Sequence, residues 1–196
     1  MCRLALWLIK KFVSLPADGR ADGILIPRLR KAVSLGATQK KLRMIQGENV
    51  KILFRYFSSV LEEWTVETMW AEVIDADKGL YKLDNIPFYG PLVASDDIVF
   101  AEYDIDEEML TYRKTIENSG NSIINVVMMD KSIDVNTVRD IFDDLGCLSE
   151  KVNEGYFSME ILADKDYRPI KQKLNELEEE GVIGFAEPCL SNLHRL

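Results

Sequence analysis

After Asn118-Ser119-Gly120 the hydrophobic pattern changes period, and that change constrains the fold more than any other feature. Ile123–Met129 is a nearly continuous apolar run, the pattern of a strand covered on both faces. Val135–Leu145 then places Val135, Val138, Ile141, Phe142 and Leu145 on one stripe of a helix. Asp134 stands where an N-cap is needed and Gly146 where a left-handed C′ residue is needed. Val152 and Tyr156–Leu162 flank Asn153-Glu154-Gly155 as a hairpin. Asp166–Glu180 reads as a second helix, with Tyr167, Ile170, Leu174 and Leu177 on one face and Gly181 ending it. Val182–Phe185 supplies a last strand. Strand, helix, strand, strand, helix, strand is the ferredoxin-like βαββαβ order, and right-handed crossovers put both helices on one face of a four-stranded sheet.

Upstream, the period is that of strands. Val50–Phe57, Trp64–Ile74, Leu80–Leu83, Ile98–Tyr103 and Met109–Ile116 are short apolar-rich segments separated by turns. Asp77-Lys78-Gly79 is one such turn, its glycine free to take positive φ. The expected class is α+β: a small antiparallel β-barrel or meander over 45–118, then a ferredoxin-like unit over 119–192 and a tail over 193–196.

Charge divides the chain elsewhere. Residues 1–44 hold ten basic and two acidic residues, a net +8, while the remainder holds 14 basic and 31 acidic residues, a net −17. A sign change of this kind marks a boundary. Leu4–Ile9 is cut short by Lys10 and Lys11, so it makes neither a secretory signal nor a membrane span. A basic amphipathic element and an organelle transit segment remain open, but Pro16, Gly19, Gly23 and Pro27 break long helices. The plainer expectation is an unfolded leader, or translation starting at Met44.

The acidic body excludes several classes. A nucleic-acid binder needs a basic face, and an RNA-binding ferredoxin-like sheet needs stacking aromatics on its central strands. Ile123–Met129 has none, and only Tyr156 and Phe157 stand on its companion. The sole histidine, His194, rules out multi-histidine metal sites and most histidine acid–base chemistry. No phosphate-loop, dinucleotide, zinc-protease or nucleophile-elbow motif occurs, so no catalytic residue, metal or cofactor is expected. Cys2, Cys147 and Cys189 lack C-x-x-C spacing, which favours a reduced, cytoplasmic setting. Cys147 follows a helix C-terminus, where the dipole disfavours a thiolate. The acidic runs Asp104, Asp106, Glu107, Glu108 and Glu176–Glu180 lack calcium-loop spacing and read first as solvated faces.

One stretch carries a family signature. Met69-Trp70-Ala71, Gly79-Leu80-Tyr81, the LDNIPF run Leu83–Phe88 with Tyr89, and Asp97-Ile98-Val99 resemble a bacterial family of uncharacterised domains, domain of unknown function 4265. The resemblance continues through Ser119-Gly120 and Gly146-Cys147 to Glu187–Leu190, and spans about 50–192. It implies a compact two-part bacterial protein and no assigned activity. In the family pattern a histidine often follows the Ser-Gly pair; Asn121 stands there in this chain, which weakens any catalytic role for the position.

Physically the LDNIPF run is architecture first. Asp84 and Asn85 are placed to bond their own downstream backbone, and Pro87 restricts Ile86 to extended conformations. Trp70, Phe88 and Tyr89 are expected to pack where the two units meet. The functional alternative is that this rim, with Asn118 and Ser119, lines a ligand or partner site.

Two functions follow. The first is a non-enzymatic acidic binding protein for a basic partner, a toxin-neutralising immunity protein being the concrete case. Asp104, Asp106, Glu107, Glu108 and Glu176–Glu180 would supply its contacts. The second is a small-molecule-sensing regulatory module, in which Ile123–Met129 contributes to a homodimer. An enzyme using carboxylates or tyrosines ranks third.

Overall fold

A computed structural model describes residues 47–58, 63–89 and 92–196. The basic leader, Cys2 and the alternative start at Met44 lie outside the described residues. The fold is α+β: two sheets, antiparallel in all but one strand pairing, and two α-helices.

Five strands form the first sheet: β1 (Asn49–Ser58), β2 (Glu63–Asp75), β3 (Leu80–Leu83), β4 (Ile98–Asp104) and β5 (Met109–Glu117). Each pairs antiparallel with the next, and β1 meets β5 in a short parallel pairing, Ile52 with Leu110 and Leu53 with Thr111. The result is a ring-like meander. Alternation in β1 and β2 turns Ile52, Phe54, Met69, Ala71 and Val73 inward, where they bury against Tyr81, Leu83, Val99 and Ala101. The β2–β3 turn depends on Gly79: its φ is +66°, and a Cβ there would stand 2.7 Å from the Ala101 carbonyl oxygen.

The second sheet holds β6 (Ser122–Met128), β7 (Leu148–Asn153), β8 (Tyr156–Ile161) and β9 (Ile183–Cys189) in the order β7-β8-β6-β9. Helix α1 (Val135–Asp144) joins β6 to β7, and α2 (Tyr167–Glu179) joins β8 to β9. Both begin on an aspartate cap: Asp134 accepts from the Asn136 N–H and Asp166 from the Arg168 N–H. Val135, Val138 and Phe142 of α1 and Ile170, Leu174 and Leu177 of α2 join one core with Ile124, Val126, Phe157, Met159 and Ile161. Both helices therefore cover the same sheet face.

Every residue of β6 is buried, as its apolar run predicts. β6 is internal, paired with β8 on one side and β9 on the other, so it has no edge to offer a second copy. β9 (Ile183–Cys189) runs four residues past Phe185, through Pro188, which reads as a stop in sequence. An edge strand tolerates proline because one row of its N–H groups pairs with nothing. β7 begins at Leu148 rather than near Val152. Its polar Ser149-Glu150-Lys151 run is an edge, mostly exposed, and shows no apolar alternation. No helix among the described residues is long and apolar enough to cross a membrane.

Candidate functional site

The sheet face opposite the helices meets the ring through polar atoms. Strand alternation points Tyr156, Ser158 and Glu160 of β8 and Ile123 and Asn125 of β6 away from the helices. Facing them is the segment between β3 and β4. Ser158 Oγ donates to the Pro87 carbonyl at 2.8 Å, Asn125 Nδ2 to the Phe88 carbonyl at 3.3 Å, and the Tyr156 hydroxyl to that same carbonyl. Ile123 closes the layer against Ile86 and Ala94. Burial, with Tyr89 and Glu67 nearby, raises the Tyr156 phenol well above its usual range.

Asp97, only 1% exposed, fastens the segment. Its Oδ2 accepts from the Ala94 N–H at 3.0 Å, and its Oδ1 accepts from both the N–H and the hydroxyl of Ser119, at 2.7 and 3.0 Å. One carboxylate thus ties the loop before β4 to the linker into the second sheet. Glu67 does related work on β2, accepting from the Phe88 N–H at 2.8 Å and the Tyr89 N–H at 3.0 Å.

Glu160 is the buried carboxylate of this layer, 3% exposed. Its Oε1 accepts from the Ser95 hydroxyl and from Asn121 Nδ2. No side-chain donor among the described residues reaches Oε2. Burial pushes its pKa above the ordinary carboxylate value, and the Asp96 charge adds to this; the Ser95 and Asn121 hydrogen bonds pull the other way. Asn121 is itself fixed, its Oδ1 accepting from the Ala163 N–H at 2.9 Å.

Glu160 lines a cleft of about 610 Å³ between the ring and the α1–β7 side of the second sheet. Asp84 and Asp96 border it from the ring, Asp140 and Asp143 from α1, and Glu150 from β7. The one basic lining residue, Arg139, is held by neutral groups: Asn136 Oδ1, Ser149 Oγ and the Ser149 carbonyl, at 3.1, 3.0 and 2.9 Å. Six carboxylates thus face one guanidinium that spends its hydrogen bonds elsewhere, with Lys82 beside Asp96 at 3.4 Å. Such a surface attracts ammonium and guanidinium groups.

Of the LDNIPF run, Leu83, Asp84 and Ile86 line this cleft, and Asp84 is the one polar candidate among them. Phe88 and Tyr89 do reach the junction, where Tyr89 stacks on Tyr156 with ring centroids 5.7 Å apart. Trp70 does not: it lies 47% exposed, with the Lys51 ammonium 4.7 Å from its ring. A β2 position pointing out of the ring has no route to the second sheet. Asn85 donates to the downstream Ile86 carbonyl, as expected of it, and also accepts from the Trp70 N–H of β2 at 2.7 Å, a contact across fifteen residues. The Asp84 side chain is exposed. Asp84→Ala is accordingly expected to change stability by no more than about 0.5 kcal/mol in a denaturant melt.

Asn118 is exposed, whereas Ser119 is held by Asp97. Asp104, Asp106, Glu107 and Glu108 form the β4–β5 turn, away from the cleft lining. Asp104 accepts from the Asp106 and Glu107 N–H groups and pairs with Arg113 at 2.7 Å, which holds its carboxyl below the usual range. Arg55 pairs with Glu107 at 3.0 Å. Burial pushes the Cys147 thiol up to about 12 and the Cys189 thiol up to about 11, so neither is a ready nucleophile. His194 is buried, its Nδ1 2.7 Å from Ser122 Oγ.

Sequence reasoning missed Glu160, Ser95 and Asn121 as one cluster. The available signal was the alternation of Tyr156, Ser158 and Glu160 in a strand otherwise apolar, which places a carboxylate on an interior face.

The geometry defines a class: a two-part α+β protein whose halves meet across a polar layer beside an acidic cleft. The chain belongs to the family described as Domain of unknown function (DUF4265), matched over residues 67–185. It is also similar to the crystal structure of a hypothetical protein from Neisseria gonorrhoeae. The two share 25% identity with a TM-score of 0.64, over 74% of this chain and 96% of that one. No curated protein matches the chain.

Proposed function

We propose that this protein is a non-enzymatic binding module whose acidic cleft receives basic groups of a partner protein, a toxin-neutralising immunity protein being the concrete case. The observation that carries this reading is the lining of the cleft: six carboxylates, with Arg139 committed to Ser149 and Asn136. The β4–β5 turn is a weaker contact surface because Arg113 and Arg55 already pair with Asp104 and Glu107. Charge complementarity at such a cleft raises association rates and suppresses wrong partners.

The strand order β7-β8-β6-β9 with both helices on one face supports a ferredoxin-like reading of residues 119–192, and the β1–β5 closure supports a small barrel over 45–118. The free thiols of Cys147 and Cys189 support a reducing, cytoplasmic setting.

The test is capture on the tagged full chain at low and high salt, beside a chain carrying Asp140→Lys and Asp143→Lys. Both aspartates are exposed on α1, so folding is expected to survive. A basic protein held stoichiometrically by the native chain, released by salt and lost by the variant, supports the reading. A partner held equally by both chains, or at about 1 M salt, where screening reaches about 3 Å, overturns it.

A second reading, a small-molecule sensor, is favoured by the cleft volume, which falls within the range of ligand pockets. A metabolite that raises the melting temperature of the native chain but not of Glu160→Gln would favour it.

A further inference from the structure

The cleft opens along an unpaired strand edge. β7 pairs with β8 alone, so its other side carries no neighbour among the described residues. Which of its backbone groups face outward follows from the register. Met128 donates to the Gly155 carbonyl, so hydrogen-bonded β6–β8 pairs recur every second residue from there, at Val126 with Phe157 and Ile124 with Met159. The backbone groups of Phe157 and Met159 thus turn toward β6. Their β7 partners, Lys151 and Ser149, then turn their own groups away from β8, to the free edge. The Arg139 guanidinium on the Ser149 carbonyl, at 2.9 Å, is where an outward-facing carbonyl would be found. The Ser149 N–H and both backbone groups of Lys151 have no partner among the described residues.

Side chains alternate with the backbone. Leu148 and Glu150 stand opposite Glu160 and Ser158, and so project on the ring-facing side, into the cleft. A strand added antiparallel beside β7 would place its residues opposite Leu148 and Glu150 on that same side. The residues between them would hydrogen-bond to Ser149 and Lys151.

We propose that the β7 edge receives an extended segment of the basic partner. Its backbone adds to the sheet at Ser149 and Lys151, while alternate lysine or arginine side chains enter the acidic cleft beside Glu160. The proposal rests on the cleft reading above and adds the mode of recognition: backbone bonds supply affinity, and the pocket for alternate side chains supplies selectivity. Arg139 suits this arrangement. It covers one edge carbonyl, which blunts indiscriminate strand pairing, and leaves the donors that a partner's carbonyls require.

The probe is an acetylated heptapeptide, Val-Arg-Val-Lys-Val-Arg-Val amide, titrated into the full chain by fluorescence anisotropy, with amide shifts at Ser149 and Lys151 followed by NMR. Two further peptides carry N-methyl groups, one on its valine amides and the other on its arginine and lysine amides. Expected results are binding with shifts at both residues and weakening by Asp140→Lys with Asp143→Lys. Methylated valines should weaken binding about fivefold, the loss of the one backbone hydrogen bond to the Lys151 carbonyl that Arg139 leaves open, and methylated basic residues little. If methylation of the valines has no effect while the aspartate variant weakens binding, the edge proposal falls and the cleft reading stands. If the aspartate variant binds as tightly as the native chain, the cleft reading falls and this proposal with it. No binding at about 1 mM peptide, weaker than about −4 kcal/mol, also overturns it.

Discussion

Asp97→Ala is expected to cost about 3–5 kcal/mol of folding free energy, because it leaves one buried and two half-buried donors without their acceptor and each such loss costs about 1–3 kcal/mol. Those donors are the Ala94 N–H, the Ser119 N–H and the Ser119 hydroxyl. Asp97 is 1% exposed, and water has little room to replace it. In a chain of this size each 1 kcal/mol moves the melting temperature about 2–4 °C, so a fall of roughly 6–20 °C follows. Thermal and denaturant melts measure it. A shift below about 2 °C would show that the segment between β3 and β4 is held by its apolar contacts at Ile86 and Ala94, and that Asp97 merely accompanies them. Asp84→Ala is the matched control: it removes a carboxylate from the same segment at an exposed position.

The contrast between these two aspartates shows what is readable in a sequence of this kind. Local devices were readable. Asp134 caps α1 as its place before Val135 predicts, Gly79 and Gly146 take the positive φ their turns require, and the stripes of α1 and α2 are the buried faces. These features depend on residues within a few positions of one another, where spacing alone fixes geometry. Asp97 and Glu67 act over 22 and 21 residues, and Ser95 meets Glu160 over 65. No local pattern separates Asp97 from Asp84 or Asp96, since all three sit in turn-like sequence; only the approach of the Ser119 linker chooses among them. The apolar run of β6 announced a strand covered on both faces, yet not that the second cover would be polar. Asn125, Ser158 and Tyr156 bond to main-chain carbonyls of a segment that sequence cannot place.

Glu160→Gln is expected to separate what this residue does for folding from what it does for binding. Burial raises the pKa of Glu160 above its ordinary 4.5. The folded state therefore holds the proton more tightly than the unfolded state does. Above the raised value the native chain carries the cost of a buried charge, and that cost is relieved as pH falls through the raised value to 4.5. Glutamine keeps an oxygen able to accept from Ser95 and Asn121 but carries no charge. The variant should melt about 2–4 °C above the native chain at pH 8, a gain of about 1 kcal/mol, and the two should converge near pH 4. A variant less stable at both pH values would mean that the charged form is what Ser95 and Asn121 require, and the carboxylate would then be structural. If the cleft receives cations, the same substitution should weaken binding of the basic heptapeptide at least about tenfold, the low end of the loss on removing one charge from a desolvated pair. A chain that becomes more stable at pH 8 while binding less tightly identifies Glu160 as a residue held at a cost to folding for the sake of what enters the cleft.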